Sequence, residues 1–85
     1  FNPEAWIPFR MDTRGDVSVT IFALDGSVVR ALPLGPRGPG LYTSRGQAAY
    51  WDGRDERGER AAAGWYMYEV RAGGTRAVGT LALAK

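Results

Sequence analysis

Apolar and polar residues alternate along most of this chain, the period of two that marks half-buried β-strands. From Asp16 to Ala23, Val17, Val19 and Ile21 fall on one face and Ser18 and Thr20 on the other. From Trp6 to Met11, Ile7, Phe9 and Met11 alternate with Trp6, Pro8 and Arg10. Pro8 has no ladder donor, which predicts an edge position or a bulge there. From Trp65 to Arg71, Tyr66, Tyr68 and Val70 share one face and Trp65, Met67 and Glu69 the other. The last run, Thr75 to Ala84, aligns Leu81 with Leu83. Helical periodicity is absent, since Ala61-Ala62-Ala63 is short and is followed at once by Gly64.

Turn residues punctuate these runs. Leu24-Asp25-Gly26-Ser27 predicts a hairpin, because Asp-Gly readily takes positive φ. Ser27 to Leu32 returns as a strand with Val28 or Val29 inward. PLGPRGPG, residues 33–40, predicts an irregular surface crossover, its prolines and glycines excluding regular pairing. The same glycines interrupt any polyproline helix that a partner could read. Leu41 to Trp51 resumes an extended path, interrupted near Arg45-Gly46, and residues 52–64 (DGRDERGERAAAG) form a second long connection. Gly73-Gly74 closes the final hairpin. About seven strands with hairpin turns and two longer crossings predict an all-β, Ig-like antiparallel sandwich, with residues 1–85 as a single domain. A small closed barrel is the alternative.

Composition narrows the chemistry. The chain has 85 residues, with no His and no Cys. Their absence removes His- and Cys-based zinc sites, thiol nucleophiles, disulfides and a Ser-His-Asp triad. Ten Arg and one Lys stand against nine acids, for a net charge of +2. The arginines are scattered and interleaved with acids, whereas a nucleic-acid surface needs them clustered on one face. No apolar run reaches the roughly 18 residues of a membrane-spanning helix. A start at Phe1, with no initiator Met, reads as a fragment, a processed product or a piece of a longer chain.

The most site-like segment is WDGRDERGE. Asp52, Asp55, Glu56 and Glu59 bring four carboxylates together with Gly53 and Gly58 among them. Asp52, Asp55 and Glu59 are weak calcium candidates, because carboxylates around a glycine-containing loop can wrap a hard cation. The EF-hand spacing is missing, and Arg54, Arg57 and Arg60 alternate with the acids. A structural turn is the leading reading: Asp52 accepts backbone N–H bonds, and Gly53 and Gly58 take conformations other residues avoid. A glycosidase carboxylate pair would need a cleft that a domain of this size has little room for. Trp51 shares parity with Ala49 and is expected in the core beside this loop. Tyr66 is expected to tie its hydroxyl back to nearby backbone, as Ig-like sandwiches do. Trp6, Phe22, Trp65 and Met67 have the parity opposite to their strands' core residues, which makes them interface candidates.

FNPEAWIPF, VTIFALDGSVVRAL, YWDGRDERGE, GWYMYEV and TLALAK follow one another in order. This succession resembles Ig-like C-terminal domains of exported bacterial proteins. It is similar to the Ig-like domain of the flagellar hook-capping protein and to the C-terminal sorting domains of type IX secretion cargo. The sequence departs from the pattern at Ala5, where Thr is usual, at Ala23-Leu24, where Tyr-Asp is common, and at Thr80, where a basic residue is common. The resemblance implies a non-catalytic structural or attachment module, extracellular or on the cell surface of a bacterium, with no cofactor. It implies protein partners: a parent-chain domain, secretion or surface machinery, or copies of itself. A self-associating subunit of an extracellular filament or other assembly, through edge strands and exposed aromatics, is the alternative function, and a carbohydrate-binding module using Trp6 or Trp65 a lesser one. Nucleic acid and membrane insertion are not expected.

Overall fold

A computed structural model describes residues 4–84. In chain order the strands are β1 (Ala5–Ile7), β2 (Phe9–Met11), β3 (Gly15–Phe22), β4 (Val28–Arg37), β5 (Gly40–Tyr42), β6 (Ala49–Trp51), β7 (Gly64–Ala72) and β8 (Thr75–Leu83). One antiparallel sheet runs β4-β3-β7-β8, and two ribbons, β1-β6 and β2-β5, form the other layer of an Ig-like sandwich.

The alternating pattern dictates the core. Val17, Val19 and Ile21 of β3, Tyr66, Val70 and Ala72 of β7, and Leu83 of β8 are buried against Ile7, Phe9, Met11, Ala49 and Trp51 of the ribbons. Pro8 divides the first predicted strand into two short ones whose inward parity is unbroken. β1 pairs with β6 and β2 with β5, so the two ribbons follow one path interrupted at Pro8. Opposite that proline, the connection from β5 to β6 loops out over residues 43–48, where Ser44 O accepts the N–H groups of Gln47 and Ala48.

The segment 33–40 departs from the sequence expectation. β4 continues through Pro33, Gly35 and Pro36 to Arg37 rather than breaking into an irregular crossover. β4 lies at the edge of its sheet, where alternate N–H groups have no ladder partner and proline removes no bond. A register shift between Val17 and Ser18 leaves Leu34 without a partner and sets Pro33 opposite Ser18 and Pro36 opposite Asp16. Both prolines therefore face β3 residues of the same parity. Gly35, at φ 78°, supplies the backbone turn that the bulge needs.

Trp51 is the largest fully buried side chain. Its ring meets that of Tyr66 edge to face at a centroid distance of 5.4 Å, and its indole N–H donates to the Arg54 carbonyl at 2.9 Å. Trp51→Ala should cost roughly 3–5 kcal/mol in urea denaturation, a large part of the stability of a small domain. Trp51→Phe should cost less but still lower the midpoint, by removing the indole bond to the Arg54 carbonyl and leaving Arg30 as that carbonyl's one remaining side-chain donor. A loss below about 1 kcal/mol for the alanine variant would contradict this central place for Trp51.

Candidate interaction surface and the 52–61 loop

Asp52 and Asp55 are both engaged in turning the chain. Asp52 Oδ1 accepts the Arg54 N–H at 3.0 Å and the Arg30 guanidinium at 3.0 Å. Asp55 Oδ1 accepts the N–H groups of Arg57 (2.9 Å) and Glu59 (3.0 Å). Arg54 and Arg60 form an antiparallel bridge, the Ala61 N–H bonds Gly53 O at 2.8 Å, and Gly53 and Gly58 sit at φ 77° and 82°. The segment is thus a small hairpin closed by its own aspartates. Among the described residues, no group of three or more carboxylates is placed to hold a metal ion. Tyr66, near the start of β7, donates its hydroxyl to the Ala62 carbonyl.

The loop also does something its sequence does not announce. The Glu56 N–H donates to Val29 O at 3.1 Å, and its carboxylate accepts the Ala31 N–H at 3.0 Å. Arg30 reaches back to Asp52, to the Arg54 carbonyl and toward Glu56. Glu56 therefore occupies outward backbone groups of β4 and shields that edge from foreign strands. The sequence places Glu56 in an acidic cluster but does not join it to Arg30, because the two are 26 positions apart and meet only through the fold.

The four aromatic and Met candidates divide between two places. Phe22 pairs with Met67, Met67 with Thr80, and Trp65 with Ala82, so Phe22, Met67 and Trp65 share the outer face of the four-stranded sheet. Trp65 and Val78 there are 62% and 67% exposed, whereas Phe22 and Met67 are half-buried. A shallow groove of ≈ 490 Å³ runs along this face, lined by Phe22, Met67, Val78 and Thr80 and ending at Glu69 and Arg76. Trp6 lies in the other layer. Its ring packs against Tyr50 at 4.7 Å, Arg45 sits over it at 5.6 Å, and its N–H donates to Glu4 at 3.0 Å. Val78 was missed as a surface residue because it is one apolar residue in the mixed run of β8.

At the polar end of the outer face, Glu69 binds both Arg71 and Arg76. The hydrogen bond from Arg71 holds its carboxyl below the usual glutamate range, and the charges of Arg71 and Arg76 add to this against partial desolvation.

Four strands against an interrupted ribbon, with a tyrosine hydroxyl tied to the preceding backbone, define the molecule as an Ig-like β-sandwich. Among solved structures, the chain is similar to FlgD from Xanthomonas campestris, whose structure is described as giving insights into the hook capping essential for flagellar assembly. That likeness has 25% identity and a TM-score of 0.63, over 96% of this chain and 56% of that one. FlgD from P. aeruginosa is similar over 98% of this chain and 57% of its own, at 24% identity and a TM-score of 0.59. The chain thus spans little more than half the length of either. No protein-family model and no curated protein matches it.

Two outcomes follow from this geometry. Glu56→Ala should speed hydrogen exchange at the Ala31 amide while the global melting curve shifts little; unchanged exchange at Ala31 would remove Glu56 as an edge cap. In a carboxyl-detected NMR titration, Glu69 should titrate below ordinary glutamates, and Arg71→Gln should raise its midpoint. Because the folded value is lowered, the stability it contributes is full above the ordinary glutamate pKa and is lost as pH falls through the lowered value.

Proposed function

We propose that this chain is a non-catalytic structural module of an exported bacterial protein, working by protein–protein contact at or outside the cell surface. On this reading, residues 1–85 act as one domain. The observation that carries it is the outer face of the four-stranded sheet, where Phe22, Met67, Trp65 and Val78 converge on one open surface. Aromatic residues and methionine are enriched at protein interfaces, and an apolar groove with a charged end fits a protein partner. The likeness to FlgD, a protein described in terms of hook capping, favours a subunit or packing module of an extracellular assembly over a sorting signal. Trp6, already covered by Tyr50 and Arg45, offers less open ring surface than Trp65, so Trp65 is the interface anchor in this proposal.

A photo-crosslinking amino acid at position 65, in the protein expressed in its own bacterium, tests the reading. Cross-linked protein species in the exported fraction are the expected result. A chain retained inside the cell, or exported without any cross-link from position 65, would sink it.

A further inference from the structure

The two edges of the four-stranded sheet are built differently. β4 carries Pro33 and Pro36 and two register shifts against β3, and Glu56 bonds to its backbone at Val29 and Ala31. β8 has none of these devices. Its nine residues pair with β7 without a shift, it contains no proline, and its one charge, Arg76, is bonded to Glu69. Among the described residues, no other strand pairs with its far side. Long, regular and largely uncharged edges are ones that proteins normally blunt.

The register shows which groups are open. Gly73-Gly74 closes on the Ala72–Thr75 pair, which in a two-residue hairpin exchanges hydrogen bonds. The odd-numbered residues of β8 therefore bond to β7. The N–H and C=O groups of Arg76, Val78, Thr80 and Ala82 face away from the sheet.

We propose that this edge pairs antiparallel with β8 of a second copy, about a two-fold axis at Gly79, so that two four-stranded sheets become one. The proposal rests on the assembly reading above and names the partner. The open groups then match themselves: Val78 faces the second copy's Thr80, and Arg76 faces its Ala82. Charge selects this arrangement. A parallel, in-register pair would set Arg76 against Arg76, whereas the antiparallel pair separates the two arginines by about 20 Å, at roughly 3.4 Å per residue. That exceeds the ~8 Å screening length at physiological salt, and each arginine already has its own Glu69. Gly79 leaves the axis free of side chains, and the position is held to glycine by the chain's own Tyr68, whose hydroxyl lies 2.5 Å from where a Cβ would stand. On the outer face, Val78 lies beside the second copy's Thr80, which neighbours that copy's Met67, so the apolar strip continues across the seam. Such an isologous contact is self-complementary and closes at two copies.

The intact chain in sedimentation velocity over a wide concentration range provides the test. Its mass should rise from monomer to dimer, and Val78→Pro, which deletes an N–H on the open side only, should abolish the dimer with the circular dichroism spectrum retained. Should the proline variant fail to fold, Val78→Lys keeps the backbone donor and places two charges near the seam; it should weaken association roughly tenfold or more. Leu41→Lys, an exposed position in the other layer, should leave the dimer unchanged. A monomer at every concentration overturns the proposal, as does a dimer indifferent to the β8 variants. So does a monomer that captures an extended peptide at β8 in place of its own copy. Cross-links from position 65 that persist without any β8 dimer would leave the assembly reading standing and remove only this seam. A β8 dimer without those cross-links would support the seam and remove the assembly reading.

Discussion

The indole of Trp51 joins the core to the surface. A fully buried ring with a polar N–H needs an acceptor inside the fold, and the Arg54 carbonyl supplies it. That one bond holds the chain just after β6 in a fixed path, and Arg30 of β4 donates to the same carbonyl. Asp52 and Asp55 then turn the 52–61 hairpin, and the hairpin delivers Glu56 to the β4 backbone. A packing demand in the core thus ends in the protection of a sheet edge about two dozen residues away in sequence.

The consequence is an asymmetric molecule. One edge of the larger sheet is bulged, proline-bearing and bonded to Glu56. The other is straight, and among the described residues it is paired on one side only. The outer face of that sheet is asymmetric as well. Phe22, Met67, Trp65 and Val78 gather on it, while Ser18, Thr20, Glu69, Arg71 and Arg76 make its other end polar. The apolar contact surface therefore crosses the sheet, from Phe22 on β3, beside β4, through Met67 and Trp65 on β7 to Val78 on β8.

Much of this was legible beforehand, for a local reason. In a strand the side-chain period is two, so each run's apolar parity assigns its inward face without knowledge of its neighbours. Val17, Val19 and Ile21, the Tyr66–Val70 set and Trp51 with Ala49 all follow that rule. The aspartate turns were equally readable, because Asp52 and Asp55 bond backbone within four residues of themselves. Segment 33–40 misled for the converse reason. Proline excludes a central strand, but whether a strand is central or at an edge is a property of the sheet.

Parity along the chain settles the strands, their buried faces and the all-β sandwich, because those depend on residues one or two positions apart. It does not say that Phe22, Met67 and Trp65 lie side by side with Val78 while Trp6 sits in another layer. Nor does it say that Arg30 and Glu56 close over β4, or that β8 is, among the described residues, the edge left open. Those relations come from strand order and register, which join residues about 10 to 60 positions apart, and they exist only once the sheets have formed.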